Sequence, residues 1–464
     1  MAGIGFQLNQ FFSEANSFSR VKGAIYAIVL SSGPWLISIL NIAIISSVVR
    51  NFLAHEELLI FKSIISYTYA ISLLCFGFIE FPLTRYLADR IYKDDYSTFK
   101  RGYFLMSSLS IVVAFVIGLI IYSIDSFSTS IMYAGCLFLA STIVTWISMI
   151  FLSAARNFLS IVIGFFSSAI VGTTLAILLG KKFGLEGVLW GHTFGQITLA
   201  LILGSILQVD FKGKENSPIE LFDYFKKHKY LIFVGSFYYL GIWSDKLLFW
   251  YTDQGTQVKG IFYTNNYYDT AMFLAYLTIV PALAIFLIRV ETVFYTYYKY
   301  YYESIEKKKT LSFLEKGSDM ITIKLRDSFV GLLKVQIIVS FLSWYFMPNI
   351  LEYFKMSPLI ASPLQYGIIG ALFQVVFFIM NILLLYFQDV RSVIRNYLVF
   401  FITNLVFSYI TTHLSYRYHG LGYCLSSFAT LLISYYSLSS RLENLNFFTF
   451  MSQPVIIKNE SIIK

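Results

Sequence analysis

The chain has 464 residues, of which 57% are hydrophobic and 13% charged, with a net charge of +9. Soluble globular chains carry about 25% charged residues, so an ordinary soluble domain is excluded and lipid is indicated as the solvent. The basic excess follows loops instead of forming one stripe, which excludes a nucleic-acid surface, and Cys75, Cys136 and Cys424 lie in separate apolar segments, which excludes a disulfide framework.

From the start of the chain, Ile4, Phe6, Leu8, Phe11, Phe12 and Phe18 are scattered among polar residues. Residues 4–18 suit a short interfacial helix, and equally an ordinary mobile terminus. No cleaved signal peptide is expected, because Glu14 precedes a first apolar stretch that is too long and lacks a small-residue cleavage site. Ala2 excludes myristoylation.

A membrane span needs about 20 largely apolar residues. Twelve are predicted, near 22–49, 58–80, 102–124, 130–153, 158–180, 187–208, 230–252, 267–288, 329–350, 364–387, 397–416 and 420–440. No apolar/polar alternation suggests a lipid-facing barrel, so the spans are read as helices. An even count puts both termini on one side. With the N-terminus inside, 26 of the 35 Lys and Arg residues are cytoplasmic and 7 are outside, with Lys246 and Lys334 within spans. The positive-inside rule therefore predicts N-in and C-in. The basic inner loops are 85–101, 209–229 and 289–328.

The polar stretch 209–229, with Lys-Gly-Lys-Glu-Asn-Ser-Pro at 212–218, divides the spans six and six. The expected organisation is an all-α polytopic membrane protein. A six-helix bundle over 1–208 and a connector at 209–229 precede a second bundle over 230–440 carrying the basic segment 289–328, then a cytoplasmic tail at 441–464. Six spans per half imply parallel repeats. Ser-Gly-Pro-Trp at 32–35 is echoed by Leu-Gly-Ile-Trp at 240–243, a spacing of 208 residues for the Trp pair.

Asp245 and Lys246 lead the candidate residues, because charge near mid-bilayer costs about 2.5–3.5 kcal/mol on insertion scales. Helical neighbours point about 100° apart, so each is expected to seek a separate partner, substrate or proton path, or a structural ion pair with another span. Trp243 and Trp250 flank them and suit sugar rings or interface anchoring. Asp269 is read as an outer-mouth contact or as a solvated helix start.

His192 and Gln196, one turn apart in span six, could join a polar path; a helix–helix hydrogen bond is the plainer reading of the histidine. Glu80 and Arg85, with Arg289 and Glu291 at the matching end of span eight, suit a cytoplasmic gate of salt bridges, or simple snorkelling. Gly33-Pro34 and Pro281 should kink their spans or serve packing. The tyrosine run at 295–302 could stack sugars or form an aromatic belt. No phosphate loop, nucleophile elbow or metal-ligand spacing is present, so no catalytic residue, metal or cofactor is expected.

Four blocks carry a family resemblance: Met-Ala-Gly-Ile-Gly-Phe at 1–6, Thr-Arg-Tyr-Leu-Ala-Asp-Arg-Ile-Tyr at 84–92, Gly-Ile-Trp-Ser-Asp-Lys-Leu-Leu-Phe-Trp at 241–250, and Phe-Leu-Ala-Tyr-Leu-Thr-Ile-Val-Pro-Ala at 273–282 continuing to Phe-Leu-Ile-Arg-Val-Glu-Thr at 286–292. In this order they resemble the PelG family, inner-membrane transporters of Pel exopolysaccharide within the multidrug/oligosaccharidyl-lipid/polysaccharide flippase superfamily. The resemblance spans essentially the whole chain. It implies two six-helix bundles about a central cavity and a substrate rich in N-acetylgalactosamine and N-acetylglucosamine. It also implies a PelF-like cytoplasmic glycosyltransferase and PelD-like and PelE-like membrane partners, the PelD-like one sensing cyclic di-GMP. Arg85, Asp89, Arg90, Trp243, Asp245, Lys246, Arg289 and Glu291 lie inside the matching blocks, without assigned roles. Phe-Ile-Glu-Phe-Pro at 78–82 departs from the more polar, Pro-free approach that the resemblance leads one to expect, so Glu80 stands outside it.

Overall fold

A computed structural model describes residues 17–124, 127–154, 157–211, 219–287 and 294–451. Among these, ten helices are long and apolar enough to cross a membrane. Large apolar side chains project outward along them, with Val112 61%, Ile120 58% and Leu201 68% exposed. Such a surface is stable only against hydrocarbon, so the chain is a multi-pass membrane protein.

In chain order the first elements are α1 (Ser17–Val49), α2 (His55–Gly77), α3 (Glu80–Tyr92), α4 (Phe99–Ile124), α5 (Thr129–Ala154) and α6 (Phe158–Asp210). A helix of 53 residues would be about 80 Å long, far beyond one bilayer. The chain solves this at Gly184, whose φ of 60° lies in the left-handed region that glycine enters freely. The two arms then fold back on each other. A Cβ at Gly191 would lie 2.2 Å from the Ala176 nitrogen, and one at Gly195 would lie 2.6 Å from the Gly172 Cα. Glycine spacing of four therefore brings two helix backbones into contact, the usual packing of small residues in membranes. The expected loop between spans five and six shrinks to this reversal.

After α7 (Ile219–Lys227) come α8 (Tyr230–Trp250), strands β1 (Thr256–Lys259) and β2 (Phe262–Thr264), α9 (Asn266–Leu277), α10 (Val280–Ile285) and α11 (Tyr295–Glu306). The chain closes with α12 (Leu311–Tyr353), α13 (Ala361–Tyr386), α14 (Val390–Thr412), α15 (Leu421–Glu443) and α16 (Leu445–Met451). α8 is not among the ten candidate spans, because Asp245 and Lys246 lower its apolar character. The expected eighth span is interrupted at Thr278–Ile279, just before Pro281, which removes a backbone donor and sits in the first turn of α10. The ninth span is part of a 43-residue helix that takes in 311–328, read from sequence as loop. α1 continues through Pro34. The proposed interfacial segment lies almost wholly outside the described residues, as do residues 452–464 of the tail.

The helices form two groups. α4 packs on α5, α5 on α6, and α1 on α6; in the second half α8 packs on α14, α14 on α15, α15 on α13, and α9 on α13. The groups meet along α2 against α8, α3 against α8, and α1 against α10.

Candidate functional site

The two groups meet along one seam, and most of the sequence candidates lie on or beside it. At its middle, the α2 and α8 backbones touch: a Cβ on Gly235 would stand 2.3 Å from the Gly77 carbonyl oxygen. At the expected outer end, the Tyr67 ring of α2 stacks on Trp250 of α8 at 4.6 Å. The Tyr67 hydroxyl donates to the Tyr251 hydroxyl at 3.1 Å and accepts from the Tyr263 backbone N–H at 3.0 Å. The β1–β2 hairpin thus clamps the second group onto the first. Phe262, 1% exposed, fills a slot between Tyr122 and Phe127, ring centroids 5.9 and 5.5 Å away. Sequence reading missed this hairpin. The available signal was Gly260-Ile261 between Thr-Gln-Val-Lys and Phe-Tyr-Thr, a turn pair between short strand segments, with Gly260 at φ 52°.

α8 separates its faces. Trp243, Leu247 and Trp250 pack against the first group, whereas Asp245 is 0% exposed inside the second. Contrary to expectation, Asp245 and Lys246 partner each other, Nζ to Oδ1 3.2 Å. The lysine stem is long enough to curl back over its own helix turn, where Nζ also donates to the Ile242 carbonyl at 2.9 Å. Asp245 further accepts from the Tyr268 hydroxyl at 2.8 Å and the Asn404 amide at 3.3 Å. Lys246 Nζ lies 5.0 Å from the Tyr276 ring centroid and 5.9 Å from that of Tyr423, an aromatic cradle for a cation. A buried pair so fully bonded meets the condition for holding charge out of water.

Asp269 lies in the first turn of α9 and receives the Trp250 indole N–H at 2.9 Å and the Thr264 hydroxyl at 3.2 Å. It ties hairpin, α8 and α9 together at one corner. Trp250 is therefore a buried donor, not an interface anchor.

His192 and Gln196 belong to a separate pocket in the first group, lined with Ser38, Asn41, Tyr69 and Ser168. Gln196 donates to Thr145 at 3.2 Å. Neither His192 nitrogen has a hydrogen-bond partner among the described residues, so the helix–helix hydrogen bond expected for it is not formed there. Its ring instead meets the edges of Phe61 and Phe138.

Of the four gate candidates, Arg289 and Glu291 lie outside the described residues. Glu80 opens α3 instead of closing span two, and its carboxyl meets Tyr239 across the seam while Oε2 is buried without a hydrogen-bond partner among the described residues. Among the described residues Arg85 has no ion pair with Glu80, and its buried Nε has no hydrogen-bond partner. It hydrogen-bonds Tyr224, and its charge is felt by His228 and by Tyr298 of the other group. Burial, then the Arg85 charge, hold His228 below the ordinary imidazole value. Tyr224 donates to Asp89. Nearby, Ser97 hydrogen bonds, helped by the Arg90 ion pair, hold Asp95 below the usual carboxylate value. A direct link between the groups at this end is the Tyr92 hydroxyl on Glu306, at 3.4 Å. Among the described residues no cluster of His, Cys, Asp or Glu could hold a metal.

Solved structures share this architecture. An outward-facing multidrug resistance MATE family transporter of the MOP superfamily aligns over 91% of this chain and 96% of its own, with TM-score 0.58 and 14% identity. A MOP superfamily transporter from Pyrococcus furiosus, described by a reverse polarity of its binding pocket, aligns over 90% and 96% with TM-score 0.60 and 12% identity. An inward-facing MATE family transporter aligns over 93% and 100% with TM-score 0.56 and 12% identity. At these identities the likeness shows the fold alone. No curated protein matches the sequence. The family described as "PelG: Putative exopolysaccharide Exporter (EPS-E)" matches residues 1–450. Nearly the full length is covered, and the fold is that of MOP superfamily transporters; the chain belongs to the PelG exopolysaccharide-exporter family.

Proposed function

We propose that the chain exports an N-acetylhexosamine-rich exopolysaccharide of the Pel type across the bacterial inner membrane, between its two helical groups, and so supports a biofilm matrix. The observation that carries this reading is the family match over residues 1–450. In it the chain has twelve spans with both termini in the cytoplasm, in two six-helix bundles joined by 209–229. The hairpin of α6 and the charged α8 supply the two spans beyond the ten apolar helices.

The substrate path runs along the seam, past Trp243, the Asp245–Lys246 pair and the Asp269 corner. The inner mouth, with Arg85 between tyrosines of both groups, serves as the gate, and Arg289 and Glu291 belong to it. A PelF-like glycosyltransferase delivers polymer there, with PelD-like and PelE-like proteins beside it in the membrane. The test is secreted amino-sugar polymer in a strain lacking only this chain. Loss of secretion, with polymer or nucleotide sugar building up inside, is the expected result. Undiminished secretion overturns the reading.

The fold likeness to a multidrug resistance transporter favours a second reading, a lipid-linked oligosaccharide flippase or a cation-coupled small-molecule antiporter. Secretion that requires a polyprenyl carrier would select the flippase.

A further inference from the structure

The two groups touch at two unlike places along the seam. Away from the hairpin, Gly77 and Gly235 bring the α2 and α8 backbones together, a close contact about which two bodies can rock. Further along α2, from Gly77 to Tyr67, about 15 Å of helix, the contact becomes a plug. Phe262 leaves the second group on the β1–β2 hairpin and is 1% exposed in a slot between Tyr122 and Phe127 of the first. The slot belongs to the first group alone. The Tyr122 and Phe127 rings meet at 5.9 Å, and the Tyr122 ring lies so close over α5 that a Cβ on Gly135 would stand 2.4 Å from it. The walls are therefore held without help from the hairpin.

The hairpin itself is lightly built. Its strands have four and three residues, and an isolated two-stranded hairpin is marginally stable in water, so its order depends on what it touches. It is bonded to the first group through one hydroxyl. Tyr67 accepts from the Tyr263 N–H at 3.0 Å and donates to the Tyr251 hydroxyl at 3.1 Å, which donates to the Ile261 carbonyl at 2.8 Å. Lys259 adds a cation 4.5 Å from the Phe127 ring centroid. The base of the hairpin is fixed to the second group instead, where Thr264 and Trp250 both donate to Asp269. Asp269 follows Tyr268, which donates to Asp245 at 2.8 Å. One end of the hairpin is thus anchored beside the buried charge pair, and the other is held by a ring in a slot and a tyrosine hydroxyl.

We propose that the β1–β2 hairpin is a releasable latch on this end of the seam, and that the seam opens here only when Phe262 leaves the slot between Tyr122 and Phe127. Slot and hairpin base belong to different groups, so rocking about the glycine contact draws one away from the other. With Phe262 seated, the groups stay closed. With Phe262 withdrawn, the Tyr67 and Trp250 rings, stacked at 4.6 Å, also part and free two aromatic faces of the kind on which sugar rings stack. The latch rests on the export reading only for what leaves through the opening, a sugar polymer.

The first test is pulsed dipolar spectroscopy on the full chain in nanodiscs, with Cys75, Cys136 and Cys424 changed to alanine. Spin labels sit at Lys182→Cys, beside the Gly184 reversal, and Tyr418→Cys, before α15; both positions are exposed, one on each group and neither on the hairpin. Phe262→Ala should raise the ratio of long to short distances about tenfold, the weight of burying one large apolar side chain. Tyr67→Phe keeps its ring on Trp250 and loses the hydroxyl bonds, and should raise the ratio about threefold. Size-exclusion profiles matching the parent confirm that both are folded. Unchanged distances in both variants overturn the latch. The second test joins Phe127→Cys to Lys259→Cys in cells with a short reducible bis-thiol cross-linker. Secretion should stop and return on reduction. Secretion that persists with the cross-link complete, or a pair that does not cross-link, overturns the latch. If a strain lacking the chain secretes normally, export fails and the spectroscopy still decides the latch. If secretion needs the chain but the distances do not move, the latch fails and export stands.

Discussion

The two helical groups share one architecture but hold together by different chemistry. The first is joined backbone to backbone, through the glycine stripe Gly187, Gly191 and Gly195 facing Gly172, Ala176 and Gly180. Its buried polar residues on α6 are uncharged, Thr193 and His192 among them. The second has such a contact too, a Cβ on Gly422 standing 2.4 Å from the Ser408 nitrogen, but it is laced besides by side-chain hydrogen bonds that reach a charged pair. Asn396 donates to Asn381, Asn381 to Ser434, and Asn404 to Asp245. Van der Waals contact between backbones has one geometry, whereas side chains with several donors and acceptors can be satisfied in more than one arrangement. The comparison teaches that the first group is built as a stiff body and the second as the one whose interior can rearrange.

The largest break in that comparison is Asp245→Asn. It leaves Lys246 buried without its counter-charge, a loss of about 3–5 kcal/mol when one partner of a buried pair is removed. Secreted polymer should fall to the level of the strain lacking the chain, with less folded protein extracted from membranes. The double change Asp245→Asn with Lys246→Met removes the stranded charge and should restore the folded amount without restoring secretion. A double variant that secretes normally would reduce the pair to a structural contact. Detergent extraction followed by fluorescence size exclusion, beside a polymer assay, reads both quantities.

The next effect falls on the stiff group. Gly191→Val places a Cβ against the Ala176 backbone, which cannot give way as a flexible side chain could. Overpacking of this kind costs about 1–3 kcal/mol, and the folded fraction and melting temperature should both drop. In the laced group Asn404→Leu removes a donor from Asp245 and from the Gly241 carbonyl. One unmade hydrogen bond to a charged group costs about 1–3 kcal/mol, and here the loss should sit at the low end, because Lys246 and Tyr268 still hold Asp245. Its signature should be impaired secretion at near-normal protein level, the opposite balance from Gly191→Val. Equal balances in the two variants would dissolve the distinction between the groups.

How much of this was legible in the sequence follows from the range of each interaction. Apolar run length is local, and it located the ten apolar helices. The reversal at Gly184 was visible only as a short polar break, Lys181-Lys182, because a tight turn needs one left-handed residue and no loop composition. The break of span eight at Thr278 follows from Pro281, which sequence reading took as a kink or a packing residue. The Asp245–Lys246 pairing was misjudged, since Cβ direction forbids contact between short neighbours but does not bind a four-carbon stem. Glu80 was placed at a gate, whereas its tyrosine neighbours come from residues 238, 239 and 397, a convergence that no local pattern encodes. The hairpin was missed because its strands of four and three residues are too short to register as alternation.

The smallest expected effect is also the sharpest on the stiff group. His192 is 3% exposed, and neither ring nitrogen has a hydrogen-bond partner among the described residues. An orphaned buried polar atom is a standing cost, and replacing it by an apolar group of similar shape recovers it, by up to about 1 kcal/mol. His192→Leu should therefore raise the melting temperature slightly, with Phe61 and Phe138 closing on the new side chain. Because this pocket lies within the first group and away from the Asp245–Lys246 pair, secretion should stay within about twofold of wild type, the change that about 0.4 kcal/mol produces. A large fall in secretion from a variant that is more stable than wild type would mean that the first group also carries a polar step in transport, and its stiffness would then frame a second site instead of a passive wall.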